Sequence, residues 1–397
     1  MMQAQMNIGM LGHVDHGKTT LTQSLTGKWT DTHSEEIKRG ISIRLGYADA
    51  YIYHCAKCDW YTPNPKCEKC GGKPKLVRKL SIVDAPGHET LMTAVISATS
   101  ILDGALFLVA ANEPCPQPQT TEHLLVLNST GLKNIIVVQT KIDLVPREKA
   151  IENYKQIKAF LKGSAAENAP IIPVSANAGL NIDALLRAIN EVMKPAEHDE
   201  KAELRMYVSR SFDVNRPGTG INDLKGGVLG GSIIQGALNV GDEIEVKPGL
   251  TRKDGAKPSA VVCKVQSLME ETEKLETARP GGLVAIGTTL DPSLTKSDAL
   301  VGSVVGRKGE VPEPVDSISV KYALLERADM QNMPLRDGEP VVVNVHTSTG
   351  VGAIVKLAKG VATIKLKNPT VVYKDMPVAL SRRVGQRWRL SAWGRVV

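Results

Sequence analysis

Nowhere does this chain carry an apolar run near the ~18 residues that a membrane-crossing helix needs, so no helical membrane anchor is expected. The opening MMQAQMNIGMLG passes straight into a strand-like pattern, and no signal peptide is expected. Aromatics are sparse at 4%, with three Phe, yet a hydrophobic content of 42% is enough for ordinary cores. Cysteine is scarce as well. Of six, Cys115 and Cys263 stand alone, which argues for a reducing cytoplasm, where paired cysteines are more often metal ligands than disulfides. Negative charge shows no surplus either. The formal charge of +7 is mildly basic and compatible with a polyanionic partner.

At ~100–200 residues per domain, 397 residues suggest two to four domains. Short apolar strand candidates at Asn7–Leu11, Lys79–Val83, Gly104–Val109, Asn134–Gln139 and Ile171–Val174 alternate with amphipathic stretches such as Thr121–Asn128 and Glu148–Leu161. That rhythm predicts a parallel sheet covered by helices on both faces. The character changes at KPAEHDEKAE, residues 194–203, which reads as a linker. Beyond it, GDEIEV at 241–246, GGLVAIG at 281–287, VVVNVH at 341–346 and VATIKL at 361–366 recur between Gly, Pro and Asp turns, as in antiparallel barrels or sandwiches. GEVPEPVD at 309–316 is a second break. The expected domains are therefore an α/β domain at 1–203 and two β domains at 204–311 and 312–397.

GHVDHGKT, Gly12–Thr19, matches G-x-x-x-x-G-K-[ST] between a strand and a helix that ends at Gly27. This is the setting of a phosphate-binding loop. Backbone amides from Asp15 through Gly17 to Thr20, His16 included, are expected to wrap phosphates. Lys18 would reach the β and γ oxygens, and Thr19 would ligate Mg²⁺. In DAPGH, Asp84 can hold the Mg²⁺ through water and the Gly87 amide can sense a γ-phosphate. His88 can position the attacking water, or be a solvated loop residue. In TKID, Asp143 can accept from both N–H groups of guanine's amino edge while the Lys141 stem covers the base. The amides of Ser175, Ala176 and Asn177 can meet the guanine oxygen. In RGISI, Ser42 can offer its hydroxyl to Mg²⁺ and its N–H to the γ-phosphate, unless the segment is an ordinary strand start. Each short motif is weak alone; their order and spacing point to GTP and GDP as ligands. No arginine finger in cis can be assigned, so hydrolysis is expected to be slow and partner-dependent.

HCAKCDWYTPNPKCEKC, residues 54–70, holds Cys55-x2-Cys58 and Cys67-x2-Cys70. Four thiolates at ~2.3 Å can close a tetrahedral structural Zn²⁺ site, with disulfides or free thiols as the alternatives. A catalytic zinc is not expected, because four thiolates leave no open position.

GHVDHGKTT, RGISI and DAPGHE together resemble the translational GTPases of the elongation factor Tu group, and GGVLGGSIIQGALNVGDEIEV at 226–246 resembles the start of that group's second domain. The paired cysteines after the strand Gly46–Tyr53, with LGYADAYIY and SRRVGQRWRLSAWGRV, resemble the γ-subunit family of the archaeal and eukaryotic-type translation initiation factor two. The resemblance implies a GTPase domain with a zinc knuckle at 54–72, followed by two β-barrels. It further implies a GTP-switched carrier of methionyl initiator tRNA to the small ribosomal subunit, the core of a heterotrimer. An α subunit would sit on the second domain and a β subunit on the first, with Val14 and Ile41 forming an apolar gate around His88. The cytoplasm is the expected location.

Two positions depart from the family pattern: Ser42 replaces a Thr, and Thr140 replaces the Asn before Lys-x-Asp, where its hydroxyl cannot bridge guanine and the phosphate loop as an amide does. Some Rho-type GTPases carry Thr there. Two other readings stay open. One is a sister carrier of the selenocysteine type, whose expected extra C-terminal domain has no room here. The other is a GTP-binding scaffold with negligible turnover.

Overall fold

A computed structural model describes residues 3–30, 45–88, 91–195, 198–250, 258–326 and 334–397. The chain divides into two compact units, Met1–Ala196 and Glu197–Val397. The first is built on β1 (Asn7–Gly12), β2 (Gly46–Cys55), β3 (Trp60–Thr62), β4 (Lys75–Asp84), β5 (Gly104–Ala110), β6 (Asn134–Thr140) and β7 (Ile171–Pro173), in the spatial order β3-β2-β4-β1-β5-β6-β7. Strands β4, β1, β5, β6 and β7 run parallel. All residues of β1 and β5 are buried, which is why they read as unbroken apolar runs rather than alternating ones. The direction of strand addition reverses at β1, so the crevice for a ligand opens beyond its carboxyl end.

Helix α1 (Lys18–Thr26) leaves that point and stops at Gly27, whose left-handed φ of 73° suits a residue without Cβ. The last helix of the unit, Ile182–Val192, buries Ile182, Leu185, Leu186 and Ile189, spaced to form one stripe. At about 1.5–3 kcal/mol for each buried aliphatic side chain, this stripe fixes the helix on the sheet. It joins a core that includes Ile52 of β2, Ile82 of β4 and Val174.

The antiparallel edge is the β2–β4 hairpin, and the cysteine cluster lies at its tip. Within it Lys79 and Asp49 form a buried ion pair at 3.0 Å, with the Tyr51 ring centroid 5.5 Å from the ammonium. Removing either partner would strand a buried charge, so this pair fixes the register of β2 on β4.

In the second unit six strands close the first barrel in the order Glu243–Leu250, Val304–Arg307, Arg205–Phe212, Val228–Gln235, Leu283–Thr288 and Ser259–Glu270, the last pairing back to the first. Six more, Val315–Leu324, Val361–Thr370, Ser348–Ala358, Pro340–Val345, Pro377–Val384 and Arg387–Val396, close the second. Closure pairs the first strand of each barrel with its last. The barrels are locked together by the Tyr207 ring on that of His346, centroids 5.0 Å apart, and by the Arg205 guanidinium 3.4 Å from the Tyr373 centroid. The glycine cluster at 226–231 serves packing within the first barrel. A side chain at Gly226 would collide with the Thr288 carbonyl, and one at Gly231 with the Tyr207 carbonyl. The C-terminal arginines part ways. Arg382 is buried and clamps Glu339 at 2.5 and 3.0 Å, Arg395 donates to the Asp375 carbonyl at 2.7 Å, and Arg383 and Arg387 are exposed.

Candidate functional site

The loops after the parallel strands β1, β4, β6 and β7 leave the same edge of the sheet, and they carry the nucleotide motifs. Gly17 adopts a left-handed φ of 83° at the start of α1, and Asp15, a residue type that tolerates this region, has φ 62°. The first helical bond runs from the Leu21 amide to the Gly17 carbonyl at 2.9 Å. The amides of Lys18, Thr19 and Thr20 are therefore those a helix start presents to an anion. The Lys18 ammonium is buried and donates to the carbonyls of Gly12 at 3.0 Å and His13 at 2.8 Å.

Asp84, at the end of β4, accepts from the Thr19 hydroxyl at 2.9 Å and from the Thr30 hydroxyl at 2.7 Å. Two of the three residues assigned to Mg²⁺ are thus neighbours, and the Thr30 hydroxyl joins them on Asp84, a contact that no motif announces. The following loop lies on the phosphate loop. A Cβ at Gly87 would stand 2.5 Å from Lys18 Nζ and 2.9 Å from the Val14 amide. His88 follows, half-buried, its carbonyl accepting from the Leu91 amide at 2.9 Å. Arg39–Ile43, with Ser42 and Ile41, lies outside the described residues.

On the base side, the Thr140 hydroxyl donates to the His16 carbonyl at 2.8 Å. The side chain therefore reaches the phosphate loop, and its single proton is used there. Lys141 takes a left-handed φ of 57°, which turns the chain so that Asp143 stands exposed in the turn Ile142–Leu144. The loop Ser175–Asn177 is closed by reciprocal backbone bonds between Ser175 and Leu180, at 3.2 and 2.9 Å. Ala178 donates to the Ser175 hydroxyl at 3.2 Å.

Histidines were the residues motif reading undervalued. His16 is buried, with Nδ1 3.1 Å from the Leu108 carbonyl. A carbonyl can only accept, so Nδ1 carries the proton. Burial holds its pKa down to about 4. His123, wholly buried in the helix Pro118–Thr130, is held at about 3, by burial first and then by the charge of Lys18. Both rings are neutral at physiological pH and add no charge beside Lys18.

The four cysteine sulfurs lie within 4.8 Å of one another, with Cys55–Cys70 at 3.6 Å and Cys58–Cys67 at 3.5 Å. These separations are far beyond a disulfide bond. They approach the ~3.8 Å edge of a tetrahedron with ~2.3 Å metal–sulfur bonds. Two tight turns make the arrangement. Cys58 donates back to Cys55 at 3.4 Å and Gly71 to Cys67 at 2.8 Å, with Gly71 at φ 68°. A Cβ at Gly72 would crowd Cys70 Sγ at 3.3 Å. The donor set fits Zn²⁺.

Among the described residues no helix is long and apolar enough to cross a membrane. The family model for the elongation factor Tu GTP binding domain matches residues 3–195, and that for the initiation factor eIF2 gamma C-terminal region matches 316–396. The selenocysteine-specific elongation factor EF-Sec of bacteria superposes with a TM-score of 0.77 at 27% identity, over 99% of this chain and 58% of that longer one. The elongation factor SelB from Methanococcus maripaludis, solved with the GTP analogue GppNHp, gives 0.75 at 25%, over 100% and 79%. Identity is higher to translation initiation factor 2 subunit gamma: 54% for the Methanococcus maripaludis protein, over 100% of this chain and 99% of the relative, and 53% for that of Methanocaldococcus jannaschii, over 99% and 98%. With likeness at that level over its full length, the phosphate loop and its companion motifs on one sheet edge, a four-cysteine cluster behind them and two barrels following, the chain belongs to the initiation factor 2 gamma-subunit family of translational GTPases.

Proposed function

We propose that this GTPase carries methionyl initiator tRNA to the small ribosomal subunit in the cytoplasm, as the core of a heterotrimer with α and β subunits, and releases the tRNA on hydrolysis. The observation that carries the switch is the contact of two loops. Asp84 accepts from Thr19, while Gly87 packs against Lys18 and Val14. A γ-phosphate among the amides of residues 15–20 would have to move Gly87, so the nucleotide state is felt by the loop leading to His88.

Thr19 and Asp84 would hold Mg²⁺, Asp84 through water, with Ser42 completing the switch. Lys18 would supply charge to the β and γ oxygens, and His88 would orient water. Asp143 would select guanine, with Lys141 covering the base and Ser175, Ala176 and Asn177 meeting its oxygen. Thr140 would support the phosphate loop. Zn²⁺, when bound by Cys55, Cys58, Cys67 and Cys70, supplies structural rigidity only. The mild positive charge fits an RNA ligand. Single-turnover GTP hydrolysis with and without small ribosomal subunits tests this reading. A carrier is stimulated; a rate that stays negligible in both marks a scaffold.

A further inference from the structure

We propose that Arg187 is a positioning residue for guanine binding, through which the cysteine hairpin braces the base-facing loop Ser175–Asn177. The inference rests on the assignment of that loop to the guanine oxygen. Four observations carry it.

Arg187 lies on the helix Ile182–Val192 and its Nη2 donates twice to Asp59, to the carbonyl oxygen at 2.8 Å and to Oδ2 at 2.9 Å. Asp59 directly follows Cys58, holds a left-handed φ of 49°, and places its other oxygen 2.8 Å from His54 Nε2. The turn that Arg187 grips is thus the turn made by the first cysteine pair.

Beside it, the Arg187 guanidinium covers the Tyr61 ring at 5.0 Å, and that ring packs on His54 with centroids 4.6 Å apart. Tyr61 belongs to β3, so the contact reaches the hairpin as well as the turn.

The same hairpin holds the far end of the helix. Arg78 of β4, almost wholly buried, donates from Nη1 to the carbonyls of Ile189 at 3.1 Å and Met193 at 2.7 Å. The Ile189 carbonyl also accepts the helix's closing bond from the Met193 amide at 3.2 Å, the Met193 carbonyl lies just past the last helical residue, and a cation there meets the negative end of the helix dipole.

The near end of the helix is the loop itself. Asn181 caps the helix and donates from Nδ2 to the Pro173 carbonyl at 2.9 Å, and Ala176 packs on the cluster that Tyr61 also touches. Helix and loop therefore move as one body. What fixes the helix fixes where the Ser175–Asn177 amides point.

Arg187 and Asp59 are partly exposed, with side-chain exposures of 39% and 67%. An ion pair of that kind trims an equilibrium rather than decides it, so its loss is expected to speed GDP release roughly two- to fivefold. Because the cysteine cluster and Arg187 act through one turn, losing both should cost less than the product of the single effects.

The test measures dissociation of GDP and of 6-thioguanosine diphosphate, which replaces the base oxygen with sulfur, a weaker acceptor, and keeps both N–H groups for Asp143, from the full chain. Wild type, Arg187→Gln and Arg187→Lys are compared, each with zinc bound and after chelation, with zinc content assayed in parallel. The expected result is faster GDP release from Arg187→Gln with zinc retained, little change for the analogue, partial rescue by Lys, and no further acceleration of the Gln variant on chelation. Unchanged GDP release, or equal acceleration of both nucleotides, overturns the brace. If wild-type protein does not distinguish the two nucleotides, the assignment of the Ser175–Asn177 loop is what fails, and the brace fails with it.

Discussion

The Thr140 hydroxyl donates to the His16 carbonyl at 2.8 Å, tying the end of β6 to the phosphate loop. The usual Asn at this position would use its amide to do this and still face the base. Thr makes only the first connection. Guanine affinity should then rest on Asp143, because hydrogen bonds to a charged acceptor contribute about 1.5–3 kcal/mol each against about 0.5–1.5 for neutral ones. Asp143→Ala is expected to abolish GDP binding nearly completely, whereas Thr140→Asn should tighten it only about two- to tenfold. Titration with fluorescent GDP checks both, and equal competition by ATP in wild-type protein would contradict the assignment.

One zinc per chain is expected by metal analysis of protein purified under reducing conditions. Structural zinc in small peptides contributes ~10–16 kcal/mol of apparent binding energy. This hairpin depends on it less, because the buried Lys79–Asp49 pair and the Arg78 contacts hold its root independently. Cys67→Ser should disorder the tip while the GTPase domain stays folded, as hydrogen exchange would show. Global unfolding of that variant would contradict this.

His88→Ala should slow hydrolysis and leave GTP affinity nearly intact, since the side chain is assigned to water and not to phosphate. Single-turnover rates with the ribosomal partner are the check, and an unchanged rate would make His88 a bystander.

Acid should weaken the fold through its buried histidines. His16, His123 and His346 are held by burial at about 4, about 3 and about 4, against an ordinary 6.5. As pH falls below 6.5 the unfolded chain takes up protons that these rings refuse, so stability drops progressively between about 6.5 and 4 and is unaffected by them above 7. Urea unfolding across pH 7.5 to 5 should show this decline, and His123→Gln should flatten it. An unchanged slope in that variant would show that His123 titrates normally in the folded chain.

What the sequence made legible was local. The unbroken apolar runs of β1 and β5, the Gly27 stop of α1 and the cysteine spacing each record a short-range requirement, and each is met where expected. Thr30 on Asp84, Thr140 on His16 and Arg187 on Asp59 join residues 54, 124 and 128 positions apart through single side chains that carry no periodicity. No local pattern could announce them. The glycines at 226–231 are hard to read from sequence for another reason. A glycine signals close approach without saying to what, and here the approaching groups are barrel carbonyls and side chains.

The central claim is a tRNA cargo selected in the GTP state, and the most direct measurement is a binding titration. Methionyl initiator tRNA and a methionyl elongator tRNA are titrated against the chain with GTP or GDP, alone and with the α subunit, over a range of salt. Tighter binding of the initiator is expected, with a GTP preference within the ~1–3 kcal/mol typical of coupled sites and a steep loss of affinity with salt as phosphate contacts release counterions. Equal binding of both tRNAs in every condition would contradict it, leaving a GTPase that binds tRNA without selecting the initiator.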